Sequence, residues 1–106
     1  MKHQILVSGE RANFTTLEFD SDQKRLSVLA NYGAPYNASW VERSSSQGSI
    51  DRFIGLSEGI KSGLLYTFEI NHTQKTCKIT SQQSTLGAPG HCKWALSIFY
   101  RYLSRY

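Results

Sequence analysis

The chain has 106 residues, a length for one domain at most, and its 40% hydrophobic and 19% charged composition excludes wholesale disorder. The net charge of +4 comes without a run of like charges, which argues against nucleic acid as a partner and for an ordinary, mildly basic surface. No window approaches the roughly twenty apolar residues of a membrane span, and the opening MKHQILVSGE has an apolar run too short for a signal peptide, so neither a membrane nor secretion is expected and the cytoplasm is the default.

In chain order, Ile5, Leu6 and Val7 form a short apolar run ending at Ser8-Gly9, which predicts a buried strand. Residues 14–20, FTTLEFD, are rich in β-branched and aromatic types, with Leu17 and Phe19 on one face. Residues 21–24 suit a hairpin turn, and Leu26, Val28 and Ala30 alternate on the return strand. Gly33 and Pro35 mark residues 31–37 as a loop. A short apolar segment at 38–41 then leads into a Ser- and Gly-rich stretch, 42–49, expected to turn. Further strands are expected at 52–56, 63–71 and 76–81, separated by turns through Gly59 and through residues 72–75. After Gln82 a loop containing Gly87, Pro89 and Gly90 leads to His91 and Trp94.

Residues 16–28, TLEFDSDQKRLSV, recur at 67–79 as TFEINHTQKTCKI without a gap. Thr16, Glu18, Gln23 and Lys24 recur as Thr67, Glu69, Gln74 and Lys75. Leu17, Phe19, Asp20 and Val28 become Phe68, Ile70, Asn71 and Ile79. Each copy leads on to a tryptophan, Trp40 and Trp94, expected to anchor a core between repeats. A period near fifty in a chain of strands is the signature of a propeller blade. One unit would then be four strands, 38–41, 52–56, 64–70 and 76–80, lengthening from an inner position outward. The expected fold is therefore all-β, a partial β-propeller of about one and a half to two blades of four-stranded antiparallel sheet. Blades would occupy residues 1–96, and 97–106 a divergent tail, SIFYRYLSRY, read as a non-native terminus or a short helix over an exposed edge.

Cys77 and Cys92 lack the spacing of a zinc site, and no other metal or cofactor motif occurs. On the repeat they replace Leu26 and Ala38, which suggests two small buried residues, with a disulfide between them left open. Three Asn-X-Ser/Thr sequons, at Asn13, Asn37 and Asn71, read as accidents of composition in the absence of a secretory signal.

The opening ILVSG, the TTLEFD hairpin with LSV, and Pro35 before Ser39-Trp40 resemble the start of the lactonase family of seven-bladed propellers. That family includes propeller-type 6-phosphogluconolactonase and the fungal carboxy-cis,cis-muconate lactonizing enzymes. GLLYTFEIN and the segment Gly87 to Cys92 are similar to the family's second hairpin and the Gly-rich stretch after it. The likeness spans about residues 4–96 and rests on blade motifs. It implies a lactone as the small-molecule partner of a full-length protein whose catalytic residues lie on later blades. The chain itself is then expected to be an inactive N-terminal fragment, marginally stable and able to self-associate through exposed blade edges. The alternative is a non-enzymatic sheet module that binds a protein or ligand.

Loops before the inner strands of a propeller face its channel. That places Tyr36-Asn37, Glu58 and His91 as the channel-facing candidates, Glu58 as an acid or base and His91 as a proton carrier. No nucleophile–base pair or phosphate-binding glycine loop accompanies them.

Overall fold

Period-two alternation becomes seven strands in the computed structural model, which describes residues 1–59 and 62–85. They are β1 (Lys2–Val7), β2 (Asn13–Asp20), β3 (Arg25–Gly33), β4 (Ala38–Gln47), β5 (Ile50–Ser57), β6 (Leu64–Asn71) and β7 (Thr76–Ser84). All neighbours are antiparallel, in a three-stranded sheet β1-β2-β3 and a four-stranded sheet β4-β5-β6-β7. The fold is all-β, and its second sheet is the four-strand meander of a blade. His91, Cys92, Trp94 and the tail 97–106 lie outside the described residues.

The sequence repeat is a structural repeat in detail. Asp20 Oδ1 accepts the backbone N–H groups of Asp22 and Gln23 at 3.0 and 3.2 Å. Asn71 Oδ1 accepts those of Thr73 and Gln74 at 3.1 and 3.0 Å. A short side-chain oxygen that satisfies the turn's own amides is why Asp and Asn stand at these corners. Each turn closes on a lysine at positive φ, Lys24 at 51° and Lys75 at 53°. The ladders then slip at the same place, after Thr16 in one hairpin and after Thr67 in the other. They end on matching bonds, Ala34 N–H to Ala12 O at 2.9 Å and Thr85 N–H to Gly63 O at 3.0 Å.

The alternation of β6 divides its side chains cleanly. Tyr66, Phe68 and Ile70 are buried, while Leu65, Thr67 and Glu69 on the opposite face are only half-buried. The buried row faces the first sheet, whose Phe14 stacks on Phe68 with ring centroids 4.5 Å apart and planes within 13°. Phe53 lies on the other side of Phe68 at 4.9 Å, and Leu6 and Tyr32 of the first sheet pack around the cluster. At the cross-strand pair Gly55–Tyr66 the phenol ring lies over the glycine, where a Cβ would sit 2.7 Å from the ring carbon Cζ. Glycine is required there because the ring occupies the space a side chain would fill.

Several expectations are corrected. The Ser-rich stretch 42–49 is not a turn: β4 continues to Gln47, and only Gly48 and Ser49 reverse the chain. Gly48, at φ 60°, suits the first central position of a two-residue hairpin turn. The outer half of β4 is an exposed edge strand, where polar residues keep the ladder and discourage further pairing. Strands therefore do not lengthen outward, because β4 has 10 residues against 8, 8 and 9 in its successors. Residues 31–33 belong to β3 and not to a loop. The run around Ile5 is a strand, but it is not buried, because it forms the uncovered edge of the first sheet. Trp40 is half-buried and stands outside the aromatic cluster, where Phe14 takes the anchoring place. Cys77 is half-buried, with a free thiol.

Gly55→Ala is expected to lower the unfolding free energy by about 1–3 kcal/mol, the usual cost of forcing atoms into a filled core. Urea denaturation checks it, and an unchanged midpoint would show that the Tyr66 ring moves aside freely.

Candidate functional site

Two polar clusters lie at opposite ends of the four-stranded sheet. The first joins the connection 34–37 to the end of β5. Asn37 takes positive φ, 56°, a conformation asparagine tolerates better than most residues. Its Nδ2 donates to the Glu58 carbonyl at 3.2 Å, and the Glu58 N–H donates to the Asn37 carbonyl at 3.1 Å. The Ser57 hydroxyl donates to the Tyr36 carbonyl. A single bridge between Gly9 and Ala38 ties the first sheet to the same corner. The structure thus brings Asn37 and Glu58 together, through backbone groups of Glu58 that clamp the two loops. Tyr36 is exposed, and His91 lies outside the described residues.

The second cluster was not singled out from the sequence. His72, in the β6–β7 turn, places Nε2 2.8 Å from Asp51 Oδ2 on β5, with both side chains largely buried, 18% and 13% exposed. The carboxylate can only accept, so the imidazole N–H donates. Burial alone would raise the Asp51 pKa. Hydrogen bonds from Ser46 and His72, with the positive charges of His72 and Arg43, outweigh burial and hold the carboxyl below the ordinary 3.8. The backbone N–H of His72 donates to the Ser49 carbonyl at 2.9 Å, so this cluster pins two turns together. Asp51 and His72 are brought together by register: Asp51 pairs with Ile70, and His72 lies two residues further along the same face.

The buried Tyr66 and the half-buried Cys77 stand apart from both clusters. Among the described residues the Tyr66 hydroxyl finds no hydrogen-bond partner, and burial raises its pKa above the usual tyrosine value. Burial likewise pushes the Cys77 thiol up to about 11, so it is protonated and unreactive at neutral pH. No group of three or more His, Cys, Asp or Glu among the described residues could hold a metal ion. No helix among them is long and apolar enough to cross a membrane.

Chemically, Asp51 can orient and charge-stabilise an imidazole, and Asn37 with Glu58 can present amide and carboxylate groups at a loop corner. Comparison with protein-family models, curated proteins and solved structures finds no match to this chain.

The folded Asp51 releases its proton more readily than an unfolded aspartate, so its charge stabilises the fold above about pH 4 and ceases to as acid protonates it. Asp51→Asn is therefore expected to cost about 1.5–3 kcal/mol at pH 7, the range for a hydrogen bond to a charged group. That difference should shrink as the pH falls below 3.8, measured by denaturant titration at each pH. A penalty independent of pH would contradict this assignment.

Proposed function

We propose that this chain is a scaffold segment of a propeller-type protein, two stacked blade-like sheets that work through surface contact and turn over no substrate themselves. The observation that carries the reading is the duplicated hairpin, in which corner residue, positive-φ lysine and ladder slip recur together. Burial follows the same plan: the core cluster joins the two sheets face to face.

On this proposal the lactone chemistry implied by the family resemblance belongs to a full-length parent, which would hydrolyse or form a lactone such as 6-phosphogluconolactone or carboxymuconolactone. The segment contributes architecture to it. We place the protein in the cytoplasm, a compartment that keeps a thiol such as that of Cys77 reduced.

A second reading, a loop-end site that acts on a ligand, is favoured by one observation, the juxtaposition of Asn37 and Glu58. Assays of the purified chain with 6-phosphogluconolactone and with carboxymuconolactone separate the two. The scaffold reading predicts hydrolysis at the uncatalysed rate for both. Turnover that disappears in Asn37→Ala or Glu58→Gln would overturn it in favour of the loop-end site.

A further inference from the structure

The structural repeat matches three strands and leaves a fourth over. Leu6 pairs with Thr16 in the first sheet, and Ile54 pairs with Thr67, the counterpart of Thr16, in the second. β1, β2 and β3 therefore correspond to β5, β6 and β7. In the second sheet β5 is flanked on its other side by β4. In the first sheet no described strand flanks β1, whose residues 2–5 are exposed, Ile5 at 40%. An edge strand carrying Ile5-Leu6-Val7, with its outward N–H and C=O groups unpaired, is a template for one more strand.

The chain carries a counterpart of β4 for that edge. β4 opens on Ala38-Ser39-Trp40-Val41, and after β7 the sequence gives Cys92-Lys93-Trp94-Ala95, fifty-four positions on. In the second sheet Val41, Glu42 and Arg43 pair with Gly55, Ile54 and Phe53. Since Ile54 corresponds to Leu6, the same register sets Ala95, Leu96 and Ser97 opposite Val7, Leu6 and Ile5. β4 slips by one residue after Arg43, and the same slip sets Phe99 and Tyr100 opposite Gln4 and His3. Residues 95–100, ALSIFY, hold no charge, and Leu96 falls beside Leu6.

Direction and reach agree with this register. The bridge between Gly9 and Ala38 puts the end of β1 beside the start of β4. β7, three antiparallel strands from β4, ends at that same end of the molecule. A strand following β7 then starts there and runs antiparallel to β1. Crossing from the β7 edge of one sheet to the β1 edge of the other takes about 17 Å, three strand spacings and one sheet spacing. The link from β3 to β4 makes a step of this kind with residues 34–37. Residues 85–94 extend to roughly 33 Å, which is ample.

We propose that residues 95–100 of this same chain add a fourth strand to the first sheet, pairing with the free edge of β1 as β4 pairs with β5. The inference rests on the scaffold reading and completes it, because both sheets then have four strands and β1 is no longer an edge.

The test uses the full chain with Cys77→Ser and Cys92→Ser as background, and circular dichroism is recorded for each variant. Ile5→Cys with Ser97→Cys puts thiols on directly opposite residues, whose Cα separation of about 4.5–5.5 Å suits a disulfide. Mild oxidation of a dilute sample should consume both thiols at monomer mass. Ile5→Cys with Leu96→Cys, one residue out of register and turned to the other face, should oxidise about tenfold more slowly or less. Thiols that stay free in the first variant, or equal rates in the two, would overturn the pairing. Disulfide-linked dimers in place of monomers would overturn the assignment of the strand to this same chain. Amide exchange in the unsubstituted chain gives a measurement free of new cysteines. The β1 amides that do not bond to β2 should be protected, and Ser97→Pro should speed their exchange about tenfold or more while leaving β6 unchanged. Unprotected β1 amides would overturn the inference and leave the scaffold reading intact, whereas lactone turnover would overturn that reading alone.

Discussion

Phe14 against Phe68 is the contact on which the rest of this structure depends. Each sheet alone would leave the apolar row that faces the other sheet in water, where it contributes nothing to stability. Stacking Phe14 on Phe68, with Phe53 behind and Tyr66 and Ile70 alongside, turns two such sheets into one core. An aromatic side chain fully removed from water contributes about 1.5–3 kcal/mol, a large part of what a small domain retains after its chain entropy is met. The loop clamp at Asn37 and Glu58 and the Asp51–His72 pair then secure the two ends of the second sheet. Neither would form without the register that the core imposes.

The duplicated hairpin explains why the interface has a direction. Each copy presents one row from residues such as Leu17 or Phe68 and a different row from Phe14 or Leu65, because neighbours along a strand point to opposite faces. Two copies in one chain satisfy one junction between unlike faces. An architecture of this kind is modular: what one unit buries, the next must be able to bury too. The substitution of Phe14 by Leu65 between copies keeps that position apolar, whereas its cross-strand neighbour changes from Tyr32 to Gln83.

Much of this was legible in the residues, and the exceptions have physical causes. Period-two alternation at Leu64, Tyr66, Phe68 and Ile70 identified β6 and its buried face, and Asp20 and Asn71 marked the hairpin corners. The polar half of β4 could not be read as a strand because backbone pairing with β5 holds it there, whereas its side chains carry no apolar signal. Ile5 looked like core and is exposed, as are Leu26 and Val28 on the alternating return strand, because alternation reveals that a face is apolar and not whether anything covers it. The Asp51–His72 pair depends on strand register, which neither residue announces alone. The loops holding Asn37 and Glu58 could be named from chain order, but their tie runs through carbonyl and amide groups that every residue possesses. The propeller lactonase resemblance lies on these same blade motifs, which speak to architecture rather than chemistry.

The claim at the centre of this account is that Phe14 makes the two sheets one cooperative unit, and native-state amide hydrogen exchange tests it most directly. The slowest amides of β2 and β6 should open with the same free energy, and Phe14→Ala should lower both together. If β2 instead opened at a much lower free energy than β6, and Phe14→Ala left β6 unchanged, the sheets would be independent and the account would be contradicted.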